Sequence, residues 1–280
     1  MRGKIVIITG GTSGLGEVAA IALAKMGARI VLVARDKSRG NATLARLRDS
    51  APGIAHSVHF ADLLRLAEMK RVAAQIADHE PRIDVLINNA GALFAKRRLT
   101  EDGLERTFAL NHMAYFVITA GLRERLLASA PSRIINTASA AHQGATLDFD
   151  DLQSAKSFGA RKAYGQSKLC NILFTRELAR RLQGTNVTAN CLHPGFVATR
   201  FGDQSGGLMS PFIRLAKLFA ISPANGAETI IYLASSPDVA ATRGQYFYKS
   251  TPTIPSSAAQ DDRSALLLWQ HSAALAGMKE

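Results

Sequence analysis

Cysteine is scarce in this chain of 280 residues, and Cys170 and Cys191 are too few for a disulfide framework or a zinc cluster. The sequence also lacks any apolar stretch of about 18 residues, the length that a membrane-spanning helix requires. The first residues, MRGKIVIITGG, show no signal peptide and run directly into a strand-like segment. These absences predict a cytoplasmic protein without a membrane span.

Acidic residues are few relative to basic ones, which gives the chain a formal net charge of +12. Such a charge is compatible with nucleic-acid binding, where clustered Lys and Arg release counterions from phosphate. The basic residues are scattered, however, and the densest groups, Arg35 to Arg39 and Lys96 to Arg98, are short and lack interleaved aromatics. We favour a solvated basic surface that attracts an anionic cofactor. Nucleic-acid binding is the alternative, and we predict no nucleic-acid partner.

Short apolar runs alternate with helical patterns along most of the chain. The runs predicted as strands are Ile5–Thr9, Ile30–Ala34, Ser57–Ala61, Val85–Asn88, Ile134–Ala138 and Val187–His193. The segments predicted as helices are Leu15–Met26, Asn41–Arg48, Ala67–Ala77, Leu104–Leu127, Ala163–Leu182 and Ala224–Ala234. Continuous hydrophobicity of the runs indicates a parallel sheet covered on both faces. The alternation predicts one α/β domain over residues 1–280, with a doubly wound parallel sheet (Rossmann fold).

Two segments lie outside this alternation. Residues 196–221 contain several large apolar side chains and are predicted as a small lid over a lipophilic substrate. A packed lobe or a subunit contact is the alternative for this segment. Residues 249–280 are predicted as a C-terminal tail, in which the loop Lys249–Gln260 precedes a docked helix, Asp261–Ala276.

A glycine-rich loop follows the first predicted strand and opens the first predicted helix. Glycines let the backbone approach a pyrophosphate closely, and free N–H groups at a helix start attract its negative charge. A glycine cluster alone is a weak signal, because any tight strand-to-helix turn favours glycine. Its position in the first βα turn favours dinucleotide binding. The residues predicted to bind the cofactor here are Thr9, Gly10, Thr12, Ser13, Gly14, Leu15 and Gly16.

The residue after the second predicted strand indicates which cofactor fits. Dinucleotide folds commonly place an acid there, where it binds the ribose 2′-hydroxyl. This chain has Arg35, with Lys37 and Arg39 close by, and a guanidinium can pair with a 2′-phosphate in a two-pronged geometry. Asp36 argues against this interpretation, and an ordinary solvent-facing charge is the alternative role of Arg35. The sequence therefore predicts NADP(H) rather than NAD(H).

Three polar residues form a candidate proton-transfer group. Tyr164 and Lys168 are four residues apart in a predicted helix and share one face, so the ammonium can stabilise the phenolate and lower its pKa from about 10. Alone, this spacing usually marks a surface pair. Ser139 follows the fifth predicted strand, where an open sheet gathers ligands, although serine there can also cap a turn. Joint placement behind a phosphate loop favours catalysis.

Together with further motifs, these residues resemble the short-chain dehydrogenase/reductase family over nearly the whole chain. The glycine spacing of the phosphate loop, Gly10-x-x-x-Gly14-x-Gly16, matches a signature of that family, and so does Asn88-Asn89-Ala90-Gly91. Within it the chain is similar to the retinol dehydrogenase-like branch, through Asn111-His112, residues 173–184 and residues 244–247. Membrane-anchored relatives carry an apolar N-terminal segment that this sequence lacks. The further cofactor-binding residues that the resemblance implies are Asp62, Leu63, Asn89, Ala90, Gly91, Tyr164, Lys168, Pro194, Gly195, Val197 and Thr199.

The resemblance also implies a mechanism. Ser139 would hydrogen-bond the carbonyl oxygen, Tyr164 would act as general acid and base, and Lys168 would lower the tyrosine's pKa and hold the nicotinamide ribose. Asn111 would position a water, and the alternative is that it hydrogen-bonds a helix interruption.

The expected activity is NADP(H)-dependent interconversion of a small-molecule carbonyl, retinal-like or another lipophilic aldehyde or ketone, and its alcohol. A catalytically silent NADP(H)-binding scaffold or redox sensor is the alternative function. The histidines are not spaced as a metal site, so no metal is expected. Helices that pair subunits in the family predict a homodimer or homotetramer.

Overall fold

The computed structural model describes residues 1–195 and 222–278. Its eight strands are β1 (Ile5–Thr9), β2 (Arg29–Ala34), β3 (Ser57–Phe60), β4 (Val85–Asn88), β5 (Ser132–Thr137), β6 (Val187–Leu192), β7 (Tyr246–Tyr248) and β8 (Thr251–Pro252). Its helices are α1 (Gly14–Lys25), α2 (Lys37–Ser50), α3 (Leu66–His79), α4 (Arg106–Phe108), α5 (Ala114–Ala128), α6 (Ala160–Arg181), α7 (Pro223–Ser235) and α8 (Asp262–Ala276). A π-helix, Ala109–Met113, joins α4 to α5, and short 3-10 helices lie at Ala140–His142, Pro237–Val239 and Ser257–Gln260.

The strands form one sheet in the order β3-β2-β1-β4-β5-β6-β7-β8. All neighbours from β3 to β7 are parallel, and only β8 runs antiparallel to its partner β7. β1 and β4 are entirely buried, in keeping with their uninterrupted apolar sequences. The strand order reverses at β1 and β4, which is where doubly wound sheets open a ligand crevice at their carboxyl edge.

Helices cover both faces of the sheet. Residues of α3, α5, α6 and α8 pack into one buried apolar cluster, and residues of α1, α2 and α7 pack into a second cluster on the other face. Strands β1, β2, β4 and β5 contribute alternate side chains to the two clusters, as Ile7 and Ile8 do. The predicted fold class, a doubly wound parallel α/β sheet, is confirmed.

The long helix predicted over Leu104–Leu127 is wrong in one respect. Glu105 caps the helix start by accepting hydrogen bonds from the backbone N–H groups of Thr107 and Phe108. The chain then widens into the π-helix before it continues as α5. Apolar periodicity does not reveal such an i→i+5 turn, which inserts an extra residue without breaking the apolar face.

The sequence pattern did not predict the last two strands. β7 has three residues and β8 has two, and both are too short to show the alternation that marks a strand. The predicted loop Lys249–Gln260 therefore contains β8 and a 3-10 turn. The docked helix is present as α8, which Asp261 caps through the N–H groups of Arg263 and Ser264 and which Gly277 ends in the left-handed conformation.

Helix α8 packs along α6 through aromatic contacts. The ring of Trp269 stacks on Phe174 at a centroid distance of 5.9 Å and meets Phe116 edge-on at 5.0 Å. The Arg181 guanidinium lies 4.4 Å from the centre of the Trp269 ring. The C-terminal tail thus belongs to the same core as the sheet.

Two further predictions concern membrane-spanning helices and the lid over the substrate. Within residues 1–195 and 222–278, none of the helices has the length and apolar character needed to cross a bilayer. The predicted lid, residues 196–221, lies outside the described residues, as do Val197 and Thr199.

Candidate active site

The candidate site is built from the loops that follow the parallel strands at their carboxyl ends. Gly10 follows β1, Arg35 follows β2, Asn89 follows β4 and Ser139 follows β5. Because the carboxyl ends of parallel strands meet at one edge, these residues, far apart in the chain, lie along one side of the sheet. The sequence predicted this gathering from strand positions alone.

Two glycines of the phosphate loop are required by close packing. A Cβ on Gly10 would lie 2.7 Å from the Cα of Ala90, and the backbone φ of Gly10 is +67°. A Cβ on Gly16 would lie 2.5 Å from both the Asn89 side-chain nitrogen and the Gly10 carbonyl oxygen. The loop is therefore pressed against the Asn89–Gly91 turn, which explains these glycines independently of any cofactor.

Thr9 and Asn89 tie the phosphate loop to the turn after β4. The Thr9 hydroxyl oxygen accepts hydrogen bonds from the backbone nitrogens of Asn89 and Ala90 at 3.0 and 3.1 Å. The side-chain nitrogen of Asn89 donates in return to the carbonyl oxygens of Thr9 and Gly10, at 3.3 and 3.2 Å. Both residues hold the loop in place, so their roles in cofactor binding would be indirect.

Replacing Gly10 with alanine is expected to lower the free energy of unfolding by about 2 to 5 kcal/mol. The added Cβ would strain the left-handed backbone of residue 10 and would also press against the backbone of Ala90. Gly53→Ala is the matched control, since Gly53 also has a positive φ of +83° but nothing lies within 4 Å of its added Cβ. Its expected loss is about 1 to 2 kcal/mol. Urea unfolding of both variants measures the difference, and equal losses would contradict the packing argument.

The start of α1 has the donors that an anionic group requires. Ser13 occupies the N-cap position, but its side chain makes no capping hydrogen bond. The first-turn N–H groups of a helix lack intrahelical partners and favour a negative charge. Thr12, Gly14 and Leu15 flank this position at the same edge of the sheet. The residues present therefore fit the pyrophosphate of a dinucleotide.

In the loop after β2, Arg35 and Asp36 have different surroundings. The Asp36 carboxylate is engaged as the N-cap of α2, where it accepts a hydrogen bond from the Arg39 N–H at 2.9 Å. Arg35 is exposed, and it forms no ion pair with any acidic residue in the described parts of the chain. The acid that argued against NADP(H) thus has a structural role, and the guanidinium is available to an anion.

The loops after β3 and β4 carry further predicted cofactor residues. Asp62 is half-buried and accepts a hydrogen bond from the Leu64 N–H at 3.2 Å, while Leu63 is buried. Gly91 lies beside the proposed catalytic groups, because a Cβ added there would be 3.1 Å from the Asn111 side-chain oxygen and 3.5 Å from the Lys168 ammonium nitrogen. The turn after β4 and the proposed catalytic residues therefore share one small region.

Tyr164, Lys168 and Ser139 come together as the sequence predicts. The Lys168 Nζ lies 5.7 Å from the centre of the Tyr164 ring. A hydrogen bond joins the side chains of Tyr164 and Ser139. The Ser139 hydroxyl oxygen also accepts from the Ala141 N–H at 3.2 Å, so serine caps a turn and contacts the tyrosine at once. The alternative role of Ser139, as a turn cap, is thus confirmed, and its catalytic role stays a prediction.

The expected pKa relation between lysine and tyrosine is corrected by the structure. Burial raises the pKa of Tyr164 to about 12, and the hydrogen bond from Ser139 only partly offsets this effect. Burial also lowers the pKa of Lys168 to about 7, so the lysine is only partly charged at neutral pH. Burial is the main cause of both pKa shifts, which the spacing of the two residues did not reveal.

Lys168 is held by the backbone at the end of β5. Its ammonium nitrogen, on a side chain that is almost fully buried, donates to the carbonyl oxygen of Thr137 at 2.9 Å. The Asn171 side chain donates to the same oxygen at 3.2 Å. Thr137 and Asn171 were not predicted, although Asn171 lies one helical turn after Lys168, where a second polar residue on the same face was the available signal.

The free energy of unfolding is expected to rise by about 1 to 2 kcal/mol between pH 7 and about 8.5 because of Lys168. In this range the unfolded lysine keeps its proton while the folded one, with its pKa lowered to about 7, loses it. Stability increases with pH wherever the unfolded chain binds more protons. Urea unfolding at both pH values measures the rise, which Lys168→Met should remove. An unchanged rise in that variant would contradict the assignment.

Asn111 sits in the π-helix and holds the turn after β4. Its side-chain oxygen accepts from the Ala92 N–H at 2.9 Å, and its nitrogen donates to the Ala92 carbonyl oxygen and the Ser167 hydroxyl at 3.0 and 2.9 Å. Both amide hydrogens are thus used inside the protein. These bonds join the π-helix to the turn after β4 and to α6, while the two roles expected for Asn111, positioning a water or bonding a helix interruption, both stay predictions.

Pro194 and Gly195 follow β6 at the same edge, and Gly195 has a positive φ of +82°. His193 is the residue before them. Its ring Nδ1 shares a hydrogen bond with the Tyr246 hydroxyl at 2.6 Å, and the ring stacks on Tyr248 at a centroid distance of 4.1 Å. Burial lowers the pKa of His193 to about 4, so the ring is neutral at physiological pH. The turn is therefore anchored to the last parallel strand.

Among the described residues, no cluster of His, Cys, Asp or Glu could hold a metal.

The chain is similar to known proteins over nearly its whole length. The family model described as short chain dehydrogenase matches residues 4–206. Human retinol dehydrogenase 14 is 40% identical over 296 residues, covering 99% of this chain and 88% of that protein. A crystal structure of an uncharacterized protein from Mycobacterium paratuberculosis matches with a TM-score of 0.79 and 30% identity, covering 99% and 95% of the two chains. The Pseudomonas aeruginosa RhlG/NADP active-site complex matches with a TM-score of 0.71 and 27% identity, covering 88% and 94%.

Proposed function

Since the chain belongs to the short-chain dehydrogenase family, we propose that it is an NADP(H)-dependent oxidoreductase that interconverts a lipophilic carbonyl compound and its alcohol. Membership of the family, and the likeness to a retinol dehydrogenase, confirm the resemblance that its motifs predict. Interconversion of carbonyl and alcohol by an oxidoreductase follows from that membership. The cofactor preference, the catalytic residues and the substrate are the parts that we propose.

The proposal depends on one observation: Tyr164, Ser139 and Lys168 meet at the edge of the sheet where the phosphate loop and Gly91 also lie. A proton donor, a hydroxyl that can bond the reacting oxygen and a cation must share a site if a carbonyl is to be reduced. A scaffold without turnover has no need of this arrangement.

The protonation states favour reduction as the direction in which Tyr164 acts most readily. With its pKa raised to about 12, the tyrosine is protonated at neutral pH and can donate its proton to the developing alkoxide. Ser139 lies within hydrogen-bonding reach of the same hydroxyl and would hold the substrate oxygen against it. Lys168, which keeps a proton near neutral pH in about half of the molecules, would supply positive charge beside the phenol.

Residues of the described loops would hold the dinucleotide. The start of α1 would bind the pyrophosphate and Arg35 the 2′-phosphate, while Gly91 leaves room beside Lys168. The bound cofactor supplies the hydride. The similarity to the RhlG/NADP active-site complex supports NADP(H) as the cofactor. The hydrogen bond by which Asp36 caps α2 also supports it.

The substrate class is proposed from similarity. Human retinol dehydrogenase 14 carries retinol in its name, and this chain covers 88% of its length. A retinal-like or other lipophilic aldehyde or ketone is therefore the proposed substrate. Val197 and Thr199 stay proposed cofactor-binding residues, and residues 196–221 stay the proposed lid over the substrate.

The experiment is a substrate panel of retinal, medium-chain aldehydes, aromatic ketones and steroids, each followed by NADPH absorbance and repeated with NADH. Turnover of one of them with NADPH supports the proposal. Binding of NADPH without turnover of any of them would favour the alternative, a catalytically silent scaffold or redox sensor. Faster rates with NADH would contradict the proposed role of Arg35.

Cytoplasmic location and a homodimer or homotetramer stay predictions. Helix α8 already lies against α6, so pairing of subunits would use the surfaces of α5 and α6 that α8 leaves uncovered. Light scattering on the purified chain decides between these assemblies and a monomer.

A further inference from the structure

A histidine without a role in the proposed reaction lies three residues after Ser139. His142 is 0% exposed and ends the 3-10 helix Ala140–His142. Its Nδ1 lies 2.7 Å from the carbonyl oxygen of Ser139, and its Nε2 lies 3.2 Å from the backbone nitrogen of Ser256. One ring therefore contacts both the proposed catalytic serine and the C-terminal segment.

The two contacts fix the tautomer of this ring. A backbone N–H can only donate, so the Nε2 that faces Ser256 accepts and carries no proton. A carbonyl oxygen can only accept, so the Nδ1 that faces Ser139 carries the ring proton. Burial lowers the pKa of His142, which keeps this neutral form at physiological pH. A single neutral imidazole satisfies both partners.

The backbone of Ser139 is held chiefly by this histidine. Its carbonyl oxygen accepts both the His142 N–H, at 3.2 Å, and the ring proton of the same residue. Ser139 is extended, with φ −159° and ψ 153°, and its hydroxyl bonds the Tyr164 side chain. A shift of this carbonyl would therefore move the hydroxyl that is proposed to orient the substrate oxygen.

Ser256 contributes its backbone and not its hydroxyl. It lies between β8 and α8, 114 residues along the chain from His142. Its Oγ is buried and has no hydrogen-bond partner within the described ranges. The Ser256 N–H is thus the specific link between the tail and the site.

We propose that His142 is a positioning residue, which fixes Ser139 against the C-terminal segment around Ser256 and makes that segment part of the active-site framework. This inference rests on the proposed function of Ser139. A role in packing alone is the competing explanation, because the ring of His142 also meets Tyr246 edge-on at 5.1 Å.

Ser256→Pro tests the link by removing one N–H. Proline can adopt the Ser256 φ of −57°, but its ring carbon replaces the hydrogen that points at Nε2, so Ser256→Pro breaks this contact by steric exclusion as well as by loss of the donor. Losing the hydrogen bond is expected to lower kcat about tenfold, with the KM for NADPH within about twofold of wild type. Ser256→Ala is the matched control and should keep wild-type kcat, because the hydroxyl it removes has no partner.

Two substitutions of the histidine separate its two contacts. The amide nitrogen of asparagine can replace Nδ1 and keep the bond to Ser139, so His142→Asn should behave like Ser256→Pro. The amide oxygen of glutamine can replace Nε2 and keep the bond to Ser256, so His142→Gln should lose more than tenfold in kcat. His142→Asn also serves if Ser256→Pro does not fold.

Equal kcat values for wild type, Ser256→Ala, Ser256→Pro and His142→Asn would overturn the inference. A wild type that reduces nothing in the substrate panel would contradict the proposed function instead. In that case 15N NMR of the histidine rings decides the inference. A His142 signal from the Nδ1-protonated tautomer, altered by Ser256→Pro but not by Ser256→Ala, supports it. An Nε2-protonated ring overturns it.

Discussion

Replacing Tyr164 with phenylalanine is expected to lower kcat for carbonyl reduction by about a thousandfold, because the loss of a positioned acid typically costs that much. The phenyl ring keeps the packing of the tyrosine, so NADPH binding should stay near that of wild type. With the pKa of the wild-type phenol raised to about 12, the enzyme loses a donor that is fully protonated at neutral pH. NADPH absorbance measures turnover, and cofactor fluorescence measures binding.

The control for this substitution is Tyr232→Phe. Tyr232 lies on α7 and packs against the apolar cluster on the opposite face of the sheet from α6. Removing its hydroxyl should leave kcat unchanged. If Tyr164→Phe retained turnover within about tenfold of wild type, water or another group would have to supply the proton, and tyrosine would lose its proposed role.

Replacing Arg35 with alanine is expected to lower kcat/KM with NADPH by about 10- to 100-fold, since charge-assisted hydrogen bonds to a phosphate contribute about 1.5 to 3 kcal/mol. The corresponding value with NADH should change by less than about threefold, because the 2′-hydroxyl offers no charge to the guanidinium. Parallel kinetics with both cofactors gives the ratio directly.

Arg48→Ala supplies the comparison for general charge effects. Arg48 is exposed in the last turn of α2, at the opposite end of that helix from Arg35, and its replacement removes the same unit of charge away from the proposed contact. If Arg35→Ala and Arg48→Ala weakened NADPH use equally, the effect would come from the net positive field of the protein and not from a specific contact. Raising the salt concentration should then abolish both losses.

Most of the fold could be predicted because its information is local. The first six strands are continuous apolar runs, and the structure places each of them within about three residues of its predicted bounds. The strands β7 and β8 could not be found, because with three and two residues they are too short to show the alternation that marks a strand. Likewise the apolar periodicity of residues 104–127 did not reveal the π-helix at Ala109–Met113.

The identities of the candidate site residues were readable from the sequence, but several of their roles were not. Three of the predicted residues, Thr9, Asn89 and Asn111, form side-chain hydrogen bonds with other groups of the protein. Asp36 seemed to oppose NADP(H) until its function as a helix cap was visible. Each of these roles is a matter of which partner lies within about 3 Å, and spacing along the chain does not contain that distance.

Periodicity and residue type act over a few neighbouring positions, so the chain alone was enough to predict the alternation of strands and helices, the glycine loop and the order of Ser139, Tyr164 and Lys168. The proton affinities and the long-range contacts required the folded molecule. Burial raises the pKa of Tyr164 and lowers that of Lys168, and it brings His142 against Ser256. Desolvation depends on every atom packed around a group, and that surrounding exists only once the chain has folded.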